Sequence, residues 1–206
     1  MIKNLIFDFG NVVISFNPDY MTGCITKEPN EFELLRDAVF NPKTFEQTDK
    51  GYITADEHKK IVCKELPKHL HKKAEQILDT WYLNLPVWQG MGELLKDAKR
   101  VGYKLFLLSN INIQFSENKH KVEILKLFDG VVLSSEVKHT KPDPVIYNTL
   151  LENYDLKANE CMFVDDRQQN IDGGEAVGIK GYLFDGDAAK LREFINSAKD
   201  LAYRIN

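Results

Sequence analysis

Leu5-Ile6-Phe7-Asp8-Phe9-Gly10-Asn11-Val12 is the stretch on which the fold turns. Three consecutive apolar side chains are cut off by a carboxylate, and a glycine and an asparagine follow closely. A short apolar run of this kind reads as a strand buried on both faces, and the polar break marks its C-terminal end. Four further runs share the character: Leu105-Phe106-Leu107-Leu108, Val131-Val132-Leu133, Met162-Phe163-Val164 and Gly181-Tyr182-Leu183-Phe184. Around them lie helically spaced patterns over residues 91–101, 116–127, 143–154, 168–177 and 187–199. Gly102 and Gly178 stand where helix C-termini are expected. This alternation predicts an α/β fold, a doubly wound parallel sheet with right-handed crossovers.

Residues 16–88 break the rhythm. Asn30 is positioned to cap a helix running to Val39, and Thr54 with Glu57 forms a capping-box pattern ahead of a helix to Leu66. Lys72–Asn84 repeats apolar residues at Ile77, Leu78 and Trp81 with helical spacing. The expectation is a discontinuous α/β core, residues 1–15 and 89–206, with an all-helical cap over residues 16–88 inserted after the first strand.

The 206 residues are 43% hydrophobic and 28% charged, the balance of an ordinary soluble domain. With 27 basic against 31 acidic residues and a net charge of −4, the chain lacks the basic excess of a nucleic-acid binder. Cys24, Cys63 and Cys161 are too few and too scattered for a disulfide framework or a Cys-x-x-Cys site. No apolar run approaches the roughly 18 residues of a membrane span. These features lead us to expect a cytoplasmic protein without a nucleic-acid or membrane partner; they do not choose between monomer and homodimer.

Polar residues recur at the C-terminal ends of the strands, where an open α/β sheet holds its ligand. They are Asp8 and Gly10 after the first strand, Ser109-Asn110 after the second, Lys141-Pro142-Asp143-Pro144 before a later helix, and Asp165-Asp166 with Asn170 one helical turn on. Adjacent aspartates repel each other and favour a bound cation or other compensation. In this order, Phe-Asp-x-Gly-Asn-Val, Leu-Ser-Asn, Lys-Pro-Asp-Pro and Val-Asp-Asp-x-x-x-Asn resemble the haloacid dehalogenase-like (HAD) hydrolase superfamily across essentially the whole chain. Within it the chain is most similar to bacterial sugar-phosphate phosphatases related to α-glucose-1-phosphate phosphatase. These share the Asp-x-Gly-Asn-Val form and a Phe-x-Gln-x-x-x-Gly segment, here Phe45 to Gly51.

The resemblance implies a Mg²⁺-dependent phosphatase acting on a small phosphorylated metabolite, such as a hexose 1-phosphate. Asp8 would be the nucleophile that carries an aspartyl-phosphate. Asp8, the carbonyl of Gly10 and Asp166 would hold Mg²⁺, with Asp165 close by. Ser109, Asn110 and Lys141 would bind the phosphoryl group, and Asn170 would orient the aspartate pair. Candidate specificity residues are Asn11, Phe16, Arg36, Phe45 and Gln47. One position departs from the family pattern: Gly10 stands where most family phosphatases carry a second Asp as general acid and base. That gap favours activated leaving groups such as an anomeric oxygen. Two alternatives stand beside the phosphatase: a non-catalytic phosphate-binding domain that lost its acid at Gly10, and a metal-free 2-haloacid dehalogenase.

Other signals carry less. Asp172-Gly173-Gly174 reads as close backbone packing, Trp81 and Trp88 as packing of the insert, and His139 as a surface residue. Gly90-Met91-Gly92 lacks the preceding strand that a dinucleotide fingerprint needs. The lysine-rich surroundings of His69 and His71 mark a solvated segment, not a metal site.

Overall fold

The computed structural model describes residues 1–83 and 85–203. Strand β1 (Asn4–Phe7) is followed by five helices: α1 (Pro18–Gly23), α2 (Pro29–Val39), α3 (Pro42–Asp49), α4 (Ala55–Glu65) and α5 (His71–Thr80). The chain then runs through α6 (Met91–Arg100), β2 (Lys104–Ser109), α7 (Ile113–Asn118), β3 (Gly130–Leu133) and the one-turn α8 (Ser134–Val137). It finishes with α9 (Pro144–Asn153), β4 (Cys161–Asp165), α10 (Gln168–Ala176), β5 (Lys180–Leu183) and α11 (Ala188–Tyr203). The sheet is wholly parallel in the order β3-β2-β1-β4-β5.

This order puts β1 at the centre, flanked by β2 and β4, so Asp8, Ser109 and Asp165 emerge from three adjacent strand ends. Along β1, Leu5 and Phe7 enter a cluster that continues into the cap through Leu35, Val39, Ile77 and Leu78. Ile6 points the other way, toward Phe163, Ile146 and Tyr147. The period of two, with both faces apolar, is why the run reads as continuous rather than alternating.

The cap is helical, as expected. Thr54 and Glu57 form the reciprocal capping box, with Glu57 Oε2 accepting from the Thr54 amide at 2.8 Å and Thr54 Oγ1 accepting from the Glu57 amide at 3.2 Å. Where the chain enters and leaves the cap, the two segments pair: Ser15 N–H donates to the Pro86 carbonyl and Trp88 N–H to the Val13 carbonyl, both at 2.9 Å. Gly102 and Gly178 adopt φ of 96° and 88°, the left-handed conformation that closes helices α6 and α10.

Several local expectations need correction. Asn30 does not cap α2; the N-cap is Glu28, two residues earlier, and the helix opens at Pro29, whose ring presets φ. Residues 116–127 are not one helix. Helix α7 is capped by Asn112, whose side chain accepts from the Phe115 amide at 3.0 Å, and ends at Asn118, with two short 3-10 segments beyond. Between those segments Val122 is extended and buried, so apolar anchoring of a loop imitates helical periodicity. Helix α5 ends at Thr80, before the expected limit at Asn84, which lies outside the described residues. Helices α1 and α3, each opened by a proline beside an asparagine cap, carry too little periodicity to be seen in sequence. Among the described residues no helix is long and apolar enough to cross a membrane.

Candidate active site

Lys141 sits at the middle of the site. Its Nζ lies 2.8 Å from Asp8 Oδ1 and 2.7 Å from Asp165 Oδ2, and the residue is only 4% exposed. Asn110 holds it there: Asn110 Oδ1 accepts from the Lys141 amide at 2.8 Å, and Asn110 Nδ2 donates to the Lys141 carbonyl at 3.1 Å. The Asn110 side chain, expected on the phosphoryl group, is thus committed to the lysine loop.

Asp8 accepts a second bond on the same oxygen, from Ser109 Oγ at 2.8 Å. Asp165 is fully buried and accepts from the Arg167 amide at 2.9 Å and from Asn170 Nδ2 at 3.0 and 3.1 Å on its two oxygens. The Asn170 side chain thus bonds both oxygens of Asp165, while Tyr147 donates its hydroxyl to the Asn170 carbonyl at 2.7 Å. Gly173 permits this closeness: a Cβ there would come within 2.9 Å of both the Pro142 carbonyl oxygen and the Tyr147 hydroxyl. The packing reading of that glycine pair holds.

Burial pushes the Asp8 carboxyl up to about 6, against the opposing pull of Lys141, with Asp165 adding to the rise. Burial pulls the Lys141 ammonium down, yet Asp8 and Asp165 outweigh it and leave it above its ordinary value. Asp166 is raised, mainly by burial and then by Asp165. Among the described residues Lys141 is the one cation bonded to these carboxylates, with a lesser pull from Arg167 on Asp166, which leaves the site short of positive charge. Oxygens of Asp8, Asp165 and Asp166 lie within 4.8 Å of one another. Hard oxygen donors at this density fit Mg²⁺. Asn170 Oδ1 is buried with no partner among the described residues, which also fits a site where further hydrogen-bond donors, such as metal-bound waters, are to be held.

The site opens into a cavity of about 590 Å³ between core and cap. Asn11, Phe16 and Phe45, three of the candidate specificity residues, line it. Asn11 takes φ of 58° and accepts from the Phe16 amide at 3.2 Å, which turns the chain out of the first loop. Arg36 and Gln47 are not among the lining residues; Arg36 pairs with Asp37 at 2.8 Å and Asp19 at 3.4 Å on the cap surface. Helix α3 separates Phe45 from Gln47 by two positions, so the two cannot share a face. Trp81 is core, with 5% exposure, and also reaches the cavity wall against Phe16, while Trp88 lies elsewhere, donating to the Gly186 carbonyl. His139 pairs with Asp143 on the surface.

Sequence reasoning passed over Glu46, Asp49, Asn112, Arg167 and Gln169, all on the cavity wall. Asp49 lies inside the Phe45–Gly51 segment, at a position the Phe-x-Gln-x-x-x-Gly pattern leaves open.

The sequence model of the haloacid dehalogenase-like hydrolases matches residues 2–178. The chain is a haloacid dehalogenase-like hydrolase. Two relatives of this HAD-like enzyme match over nearly their full length. A sesquiterpene phosphatase of Aspergillus oryzae is 27% identical, over 87% of this chain and 88% of that protein. A D-ribitol-5-phosphate phosphatase of Bacteroides thetaiotaomicron is 26% identical, over 88% of this chain and 91% of that protein. Among solved structures, a HAD-family enzyme of Bacteroides thetaiotaomicron, a point mutant in complex with magnesium and inorganic phosphate, superposes with a TM-score of 0.68. It is 25% identical and covers 93% of this HAD-like chain and 99% of its own.

Proposed function

We propose that this chain is a Mg²⁺-dependent phosphatase of small phosphorylated sugars or polyols, hexose 1-phosphates among them, working through an aspartyl-phosphate on Asp8. The observation that carries the reading is the bridging ammonium of Lys141, bonded to Asp8 and Asp165 beside a third carboxylate. Such a site is built to attract and stabilise an anionic phosphoryl group once the local negative charge is balanced. When bound, Mg²⁺ would be held by Asp8, the Gly10 carbonyl and Asp166, with Asp165 adjacent, and would supply the positive charge that lets two anions meet.

The remaining work belongs to the chain. Asp8, freed of its bond to Ser109, presents a carboxylate oxygen in line with phosphorus. Ser109 Oγ–H then turns to a phosphoryl oxygen, and Lys141 follows the charge as it moves from Asp8 to the transferred group. Asn170 and the Arg167 amide keep Asp165 in place. Residues 16–88 act as the cap domain on a core of residues 1–15 and 89–206, paired at the Ser15–Pro86 crossing, and exclude water over the strand ends.

The substrate class is supported by the cavity. Its volume suits a ligand of hexose phosphate size. Its wall joins aromatic faces, Phe16, Phe45 and Trp81, to amides at Asn11, Asn112 and Gln169, a surface suited to a hydroxylated chain or ring. The named activity of the Bacteroides relative, on D-ribitol 5-phosphate, agrees. A metal-free displacement at carbon has little use for Asp166, which disfavours a dehalogenase.

Phosphate release from a panel of sugar and polyol phosphates, with Mg²⁺ and with chelator, tests the reading. Turnover should vanish in chelator and in Asp8→Asn. Equal turnover by wild type and Asp8→Asn, or none on the whole panel, would overturn it.

A further inference from the structure

We propose that Asp49, carried by the cap, is the general acid and then the general base of the reaction, in place of the carboxylate that Gly10 lacks. This rests on the phosphatase reading above and deepens it.

The first loop offers nothing for the task. A Cβ built on Gly10 would meet only Phe16 Cβ, at 3.8 Å, so the position is spacious and carries no proton donor. Among the described residues, four carboxylic side chains line the cavity: Asp8, Glu46, Asp49 and Asp166. Asp8 is the nucleophile, and Asp166 belongs with the group that suits the metal. Glu46 is exposed and paired with Lys50 at 2.7 Å. Asp49 alone is unassigned, and its Oδ1 is buried with no hydrogen-bond partner among the described residues. An unsatisfied buried carboxyl oxygen is costly unless something else at the site uses it.

The core fixes where that carboxyl stands. Asp49 ends α3, and its backbone carbonyl accepts from Ser134 Oγ at 2.6 Å, while the same hydroxyl oxygen accepts from the Ile111 amide at 3.0 Å. Two residues on, Gly51 takes φ of +63° and packs so tightly that a Cβ would lie 2.3 Å from the Ser135 carbonyl oxygen. The cap thus meets the core beside Asp49 through backbone contacts, which leave little play. Burial pushes the Asp49 carboxyl up to about 7, with Asp8 and then Glu46 adding to the rise. A carboxyl that holds its proton near neutral pH is matched to acid–base duty.

The steps balance. Asp8 oxygen bonds to phosphorus as the ester P–O bond breaks, and the departing alkoxide takes the proton of Asp49. Asp49, now a carboxylate, removes a proton from a water whose oxygen attacks the phosphorus of the aspartyl-phosphate. The Asp8–phosphorus bond breaks, inorganic phosphate forms, and Asp49 is protonated again. With this acid in place the leaving group need not be activated, so simple alkyl phosphates of polyols and sugars come within range alongside anomeric ones.

Asp49→Asn is close to isosteric and removes a poorly solvated acid, so the fold should survive. Its turnover should be compared with wild type on a hexose 6-phosphate, whose alkoxide needs a proton, and on p-nitrophenyl phosphate, whose phenolate does not. On the sugar ester the variant should lose ~10²–10⁴-fold in kcat/KM. Its stopped-flow burst of p-nitrophenolate should stay within about tenfold of wild type, because only the later hydrolysis then needs Asp49. Parallel losses on both esters, as misplacement of the cap would produce, or no loss on either, would overturn the role of Asp49. Failure of wild type to release phosphate from either ester, or full activity in Asp8→Asn, would overturn the phosphatase reading itself and Asp49's role with it.

Discussion

Ser109 and Asp8, 101 residues apart in the chain, meet through a 2.8 Å hydrogen bond at neighbouring strand ends. Parallel pairing of β1 with β2 brings them together, with Phe7 opposite Leu107 one step before the site. On the proposed mechanism, the bond keeps the hydroxyl aimed at the carboxylate that would carry the phosphoryl group.

Ser109→Ala should therefore lower kcat by ~10²-fold, the size expected when one preorganised donor to developing charge is removed. KM should change far less, because the bond gained in the transition state exceeds that in the ground state. Steady-state rates on any accepted phosphate ester measure both. An unchanged kcat would remove Ser109 from the reaction.

Among the described residues, Lys141 is the sole ammonium between Asp8 and Asp165. Lys141→Met keeps most of the volume and leaves buried carboxylates without their counter-charge, a change that costs ~3–5 kcal/mol when such a group is orphaned. In chelator the melting temperature should fall by roughly 10 °C, at ~2–4 °C per kcal/mol for a chain of this size. Saturating Mg²⁺ should restore part of the loss, and more in the variant than in wild type, because the ion binds the folded state alone. Equal melting of variant and wild type in chelator would contradict the bridging role.

Gly51→Ala combines a left-handed φ of +63° with a Cβ 2.3 Å from the Ser135 carbonyl oxygen. Either the cap or β3's following turn must shift, so a loss of about 2 kcal/mol or more is expected, together with reduced kcat through displacement of Asp49. Gly102→Ala is the control. There φ is +96°, but nothing lies within 4 Å of the added Cβ, so strain of ~1 kcal/mol should act without loss of activity. Thermal melts and rates on the two variants separate collision from strain.

Asp49→Asn should stabilise the metal-free protein, and more so as pH rises. The folded carboxyl titrates at about 7 against an ordinary 3.8, so folding favours the protonated form. Below pH 3.8 both states are protonated and the group costs nothing; between there and about 7 the folded state increasingly pays for holding a proton that the unfolded state has released. The variant's advantage should be near zero at pH 4 and reach ~1–2 kcal/mol above pH 7, allowing for solvent at the half-buried side chain. Denaturant melts at pH 4, 6 and 8 in chelator check the slope. An advantage that shrinks with pH would show that the carboxyl is not held neutral.

The sequence by itself determined the strands, most of the core helices and the principal site. Three apolar residues ending at Asp8 can bury both faces only in a parallel sheet, and polar residues at strand ends have no role in that burial. Asp8, Ser109, Lys141, Asp165 and Asn170 were therefore legible before any coordinates, because local pattern and motif order report on the sheet directly. Tertiary structure decided what depends on packing between distant segments. It withdrew Arg36 and Gln47 from the cavity, since exposure on a helix follows from which face meets the core and not from proximity to Phe45. It broke residues 116–127 into α7 and two short turns, because Val122 is anchored by burial and not by helical periodicity. It committed Asn110 to the backbone of Lys141. It also brought Asp49 to the wall of the cavity that Gly10 lines, a placement set by Ser134, Ser135 and Gly51 across the cap–core contact, which no local spacing encodes.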